Sequence, residues 1–172
     1  MKAISTDRLS QYCPFCDAGI TSQKQIVWYN QPLYEALNFT VLPSLGALVE
    51  GWLLVAPKQH VLNSSLISSE LRLEFQEVLA HTRQRVVQEF GRVAMFEHGA
   101  SSGGSLTGCG LDHAHVHCVA LPFSLHEAAI QDAIGLRWSE CVSIGDLNSI
   151  EADYVVVHDV EIGARICFPE AP

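Results

Sequence analysis

The segment Asp112-His113-Ala114-His115-Val116-His117-Cys118-Val119 constrains this chain more than any other. A spacing of two puts three imidazoles on one face of an extended strand, about 6.6 Å apart, with Ala114, Val116 and Cys118 facing a core on the other side. On a helix, successive members would be turned by about 200° and would form no set. The strand reading is therefore the one that makes them a unit. Its outer members stand about 13 Å apart, too far for one metal ion to hold all three, so the histidines must divide their work.

The rest of the sequence places that strand in an α+β domain with a mostly antiparallel sheet, one long helix and one shorter helix. Alternation over Gln25 to Tyr29 and Tyr34 to Leu42, with Asn30-Gln31-Pro32 between, predicts a hairpin. The run Gly51-Trp52-Leu53-Leu54-Val55-Ala56, closed by Pro57, reads as a buried central strand. Apolar residues at Leu71, Phe75, Val78, Leu79, Val86 and Phe90 predict a long amphipathic helix capped by Ser68 and stopped at Gly91. A strand is expected over Arg92 to Phe96, the histidine strand over His113 to Leu121, and a short helix from Leu125 to Ile134. That helix follows the capping-box spacing of Ser124 and Glu127 and stops at Gly135. A terminal hairpin is expected from Tyr154 to His158 and from Ala164 to Phe168. Residues 1–136 read as the main domain and 137–172 as an extension packed on it.

Composition excludes several classes. The chain has 172 residues, 48% of them hydrophobic, and no apolar run near the ~20 residues that span a bilayer. A formal net charge of −9 argues against binding a nucleic-acid backbone, which needs surplus Lys and Arg. The N-terminal residues lack the apolar stretch of a secretory signal, so a cytoplasmic location is expected. In such a reducing setting, six Cys and eight His favour metal binding or burial over disulfides. Cys13-x-x-Cys16 is half of a zinc-knuckle pattern. The glycine- and serine-rich run from Gly99 through Ser102, Gly103, Gly104 and Ser105 offers backbone N–H groups for an anion. Cys109 lies in the same loop, and His98 just before it. Trp28, Tyr29, Tyr34 and Phe39 could serve as a stacking wall or as core; Cys118 and Cys141 read as buried packing.

His113-Ala114-His115-Val116-His117-Cys118-Val119 resembles the His-x-His-x-His-x-x signature of the histidine triad family of nucleotide hydrolases and transferases. Gly51 to His60 resembles that family's Gly-His-hydrophobic strand ending in Pro-Lys-x-His, and Glu97-His98-Gly99 its short polar turn. The match covers residues 13 to about 122, roughly two thirds of the chain. The resemblance implies that His115 is the nucleophile on the α-phosphorus of a nucleoside phosphate ester, anhydride or phosphoramidate. It gives His117 the phosphoryl oxygens and the leaving group. It also implies that His60 and His113 complete a structural zinc site with Cys13 and Cys16, and that the protein is a homodimer binding a small nucleotide. Three positions depart from the family: Cys109-Gly110 stands where many members carry Gln-Ser, and Ser44 where many carry an Asn. These departures favour, as an alternative, a catalytically weak nucleotide-sensing or interaction module.

Overall fold

The computed structural model describes residues 13–16, 31–132, 136–159 and 161–169. Among these residues the strands are β1 (Tyr34–Glu35), β2 (Phe39–Pro43), β3 (Leu53–Pro57), β4 (Ala94–Gly99), β5 (Val116–Val119), β6 (Trp138–Cys141), β7 (Tyr154–Asp159) and β8 (Gly163–Cys167). They form one sheet in the order β1-β2-β3-β5-β4-β7-β8-β6, every neighbouring pair antiparallel. Among the described residues two α-helices, α1 (Arg72–Phe90) and α2 (Leu125–Asp132), complete the α+β fold.

Helix α1 lies on β2, β3 and β5 because its buried stripe, Phe75, Val78, Leu79 and Val86, meets Phe39, Val41, Val55, Val116 and Cys118 in one core. The rings of Phe39 and Phe75 stack with centroids 5.3 Å apart, and burial of each is worth on the order of 2–3 kcal/mol. Phe39 is thus core and not a stacking wall for a ligand. Exposed Tyr34 stacks on His81, centroids 4.4 Å apart. Phe90, expected on the buried stripe, is exposed at the last turn, where Gly91 takes a φ of 88° and ends the helix.

Several boundaries differ from expectation. The strand expected over Tyr34 to Leu42 is two strands, β1 and β2, joined by a tight turn. Glu74 in the first turn of α1 accepts from the Asn38 backbone N–H at 2.8 Å and from its side-chain amide at 2.7 Å, so a tertiary contact breaks the alternation. Ser68 makes no side-chain cap and precedes a 3₁₀ turn, Ser69–Leu71, that leads into α1. Ser124 does cap α2, accepting from the Glu127 N–H at 3.2 Å. Strand β6 was not expected: its mostly exposed Trp-Ser-Glu-Cys carries no clear period, and pairing with β8 makes it a strand. The expected strand Gln25 to Tyr29, with Trp28 and Tyr29, lies outside the described residues, as do Ile134 and Gly135. No described helix is long and apolar enough to cross a membrane.

Candidate functional site

The ladder of the histidine strand is shorter than its alternation suggests. Hydrogen-bonded pairing runs only from Val116 to Val119, because Ala114 donates its N–H to the Val61 carbonyl at 2.7 Å instead of to a strand neighbour. The expected strand from His113 to Leu121 is shorter at both ends, and the Val61 contact accounts for the first of them. The two-residue alternation survives: Ala114, Val116 and Cys118 are buried on the core side. Opposite His117 in the register stand Leu54 on β3 and Phe96 on β4. Phe96 stacks flat on the His117 ring, centroids 4.3 Å apart and planes 9° apart.

Each imidazole meets a partner that decides where its proton sits. His113 Nε2 lies 2.8 Å from the Pro57 carbonyl. A carbonyl only accepts, so Nε2 carries the hydrogen and Nδ1 keeps its lone pair. His115 Nδ1 donates to the His113 carbonyl at 2.7 Å, which leaves the lone pair on Nε2, facing Cys109 Sγ at 2.9 Å. For His117 the order reverses: Trp52 Nε1–H donates to its Nδ1 at 3.0 Å, so the neutral ring holds its proton on Nε2. The His115 and His117 rings meet edge to face, centroids 4.9 Å apart. A nitrogen with its lone pair and a nitrogen with its proton thus come from adjacent rings.

Burial keeps both rings neutral. It pushes His115 below the ordinary imidazole range, with a smaller contribution from His98. His117 is pushed from 6.5 to about 3, first by burial and then by the neighbouring His115 and His98. An unfolded chain protonates this residue near 6.5, whereas the folded one does so only near 3, so stability falls as pH drops through that window. Urea unfolding at pH 7.5 and pH 5 should show a loss of stability on acidification that His117→Gln makes smaller. An unchanged pH dependence in that variant would contradict the assignment.

Cys13, Cys16, His60 and His113 bring four ligand atoms within 4.8 Å of one another. Cys13 Sγ lies 3.3 Å from His113 Nδ1, Cys16 Sγ 3.6 Å from the same nitrogen, and Cys16 Sγ 3.5 Å from His60 Nδ1. A tetrahedral ion with metal–sulfur and metal–nitrogen bonds of about 2.3 and 2.0 Å needs sulfur–nitrogen edges of about 3.5 Å, and the group fits. The Pro57 carbonyl orients His113 as an outer partner does in metal sites. These residues could hold a metal ion. Phe15, between the two cysteines, packs edge-on against His113 and His115 at 5.4 and 5.5 Å, which ties the cluster to the histidine pair.

The loop expected to cradle an anion is differently employed. Gly99 ends β4, where a Cβ would stand 2.2 Å from the Tyr154 ring; its glycine serves packing. The Ser101 N–H and hydroxyl donate to Asp153 at 2.7 and 2.6 Å, and the Ser105 hydroxyl donates to the other oxygen of the same carboxylate. Gly104, at a φ of 73°, donates its N–H to Asp112 at 3.0 Å, and Gly103 lies against that same side chain. Ser102 is exposed. Two carboxylates thus occupy donors that the sequence offers to a phosphate. Ser101 and Ser105 hold Asp153 down at about 2, so this clamp is intact above 3.8 and released only as pH falls toward 2. Asp153→Ala should accelerate exchange of the Ser101 amide about tenfold or more; unchanged protection would mean that the loop is held elsewhere.

The other expected residues scatter. Half-buried His98 has its ring 6.4 Å from that of His117. Ser44 follows β2 and donates its N–H to the Trp52 carbonyl; among the described residues no hydrogen bond joins it to His115 or His117. Cys118 is fully buried, its thiol pushed up to about 12. The sequence reading missed Trp52, Asp112, Asp153 and a buried network around Glu97. Glu97 accepts from the Ser64 N–H at 2.7 Å, from the Ser64 hydroxyl and from Tyr154 Oη at 2.7 Å, and burial raises its pKa. Asn63 extends this network by donating to the Ala100 carbonyl at 2.8 Å, anchoring the start of the loop. An acidic residue directly after the apolar run Ala94-Met95-Phe96 of a strand was the available signal.

Comparison with known proteins reaches the fold. No family model matches the chain, and no curated protein matches it. Among solved structures, a hypothetical protein from Leishmania major is similar at a TM-score of 0.50 and 22% identity, covering 66% of this chain and 75% of that one. A HIT family hydrolase from Clostridium thermocellum gives a TM-score of 0.49 at 15% identity, covering 66% and 95%. A histidine triad protein from Clostridium difficile gives 0.40 at 18%, covering 72% and 99%. The likeness to the Leishmania protein, at 22% identity, is one of fold alone.

Proposed function

We propose that this protein is a nucleotide hydrolase or nucleotidyl transferase acting at the α-phosphate of a nucleoside phosphate ester, anhydride or phosphoramidate. The observation that carries the reading is the complementary pair of rings: a lone pair on His115 Nε2 beside a proton on His117 Nε2. A neutral imidazole is a competent nucleophile toward phosphorus and makes a labile adduct. His115 Nε2 forms the N–P bond as the bond from phosphorus to the leaving oxygen or nitrogen breaks. His117 donates a hydrogen bond from Nε2–H to a phosphoryl oxygen or to the departing atom and keeps its proton, and the leaving atom takes its proton from solvent water. Water, or an acceptor alcohol or amine, then breaks the N–P bond, releases the nucleotidyl group and restores His115. Before attack, the Cys109 thiol gives up its contact with the same nitrogen. Zinc at Cys13, Cys16, His60 and His113 is proposed as a structural ion that holds Phe15 against the histidines.

A second reading, a nucleotide-sensing module with slow turnover, is favoured by one feature: Asp112 and Asp153 already engage the loop donors. One experiment separates the two. The protein is incubated with adenosine phosphoramidate, a diadenosine polyphosphate and a sugar nucleotide, and products are resolved by chromatography. Release of monophosphate from any of them supports catalysis; binding of a nucleotide without release from any supports the sensor and overturns the enzyme.

A further inference from the structure

We infer that Trp52 is a positioning residue for His117, holding that ring in the one neutral form that presents a proton to a ligand. The role this serves rests on the functional reading above, whereas the tautomer itself does not. A neutral imidazole in water exchanges between two tautomers, and its partners choose between them. An indole N–H can only donate. With Trp52 Nε1 3.0 Å from His117 Nδ1, Nδ1 must accept and Nε2 must carry the hydrogen.

Three further contacts make the choice rigid. Trp52 stands two residues before Leu54, the register partner of His117, so both side chains share one face of the sheet. The indole packs edge to face against Phe96, centroids 6.0 Å apart, and against His117 itself at 5.8 Å. Phe96 stacked on His117 fixes the plane of the imidazole. A half-turn of the His117 ring keeps the stack on Phe96 but puts a carbon where Nδ1 faces Trp52, so the hydrogen bond selects between the two ring orientations. The same bond bears on the group Cys109, His115 and His117, whose ligand atoms lie within 4.8 Å. With Nδ1 occupied by Trp52 and Nε2 protonated, His117 has no lone pair to offer, and it acts here as a donor and not as a ligand.

The test reads the tautomer directly. In the full-length ¹⁵N-labelled protein, long-range ¹H–¹⁵N spectra at neutral pH should give His117 a protonated Nε2 and an unprotonated Nδ1. In Trp52→Phe, which keeps an aromatic ring against Phe96, the Nδ1-protonated form should become populated. With the most effective substrate of the nucleotide panel, kcat should fall about tenfold while KM stays near the wild-type value. Benzothienylalanine at position 52, which replaces the N–H by sulfur in a ring of nearly the same shape, should reproduce both changes and separates them from misfolding. A His117 that remains protonated on Nε2 in either variant overturns the proposal. Should the wild type release no monophosphate, the catalytic reading falls and the spectra still decide the role of Trp52.

Discussion

Replacing His115 by Ala is expected to lower the rate of monophosphate release by at least about 10³-fold, the scale on which loss of a covalent nucleophile is felt. The expectation follows from where lone pairs are. His115 Nε2 is freed by the hydrogen bond of Nδ1 to the His113 carbonyl, His117 Nε2 carries a proton, and burial raises the Cys109 thiol above its ordinary value. Neither neighbour is placed to replace the missing nitrogen. Rapid quench of the wild type with a substrate labelled at the α-phosphorus should trap acid-labile label on the protein, and His115→Ala should carry none. Comparable turnover in wild type and variant would sink the histidine mechanism.

The second large effect concerns the cysteine and histidine cluster. Elemental analysis of freshly purified protein should find one zinc per chain, and Cys13→Ala should lose it. Apparent binding free energies of structural zinc sites are on the order of 10 kcal/mol, comparable to the whole stability of a domain. Chelation should therefore lower the unfolding temperature sharply and expose residues 13–16 to proteolysis. Activity should decline as a consequence, since Phe15 would leave its place against His115. Protein that is metal-free as purified, or a Cys13→Ala variant as stable as the wild type, would exclude the site.

Much of the fold was legible because its signals are local. The period of α1, the capping serine of α2 and the alternation of the terminal hairpin each depend on neighbours a few residues apart. Three of the misses share one cause, which is a partner distant in sequence. Glu74 breaks the expected Tyr34 to Leu42 strand from thirty-six residues away, β6 exists through its pairing with β8, and Val61 ends the histidine ladder early. The loop from Gly99 to Gly110 has the composition of an anion cradle. Its donors went to Asp112 and Asp153 because a carboxylate satisfies a ring of N–H and O–H groups as well as a phosphate does.

By itself, the sequence determined that His113, His115 and His117 share a face and cannot share one ion, because a strand repeats every two residues and spaces them too widely. Its Cys13-x-x-Cys16 spacing supplied half of a metal site, and His60 and His113 were implied only by the resemblance to the histidine triad family. Only the tertiary structure decided the protonation of each ring. A carbonyl from Pro57, a carbonyl from His113 and an indole N–H from Trp52 set one imidazole toward the cysteines, one as a lone pair and one as a donor. Imidazole chemistry depends on which nitrogen holds the proton, and that choice belongs to the partners the fold brings together.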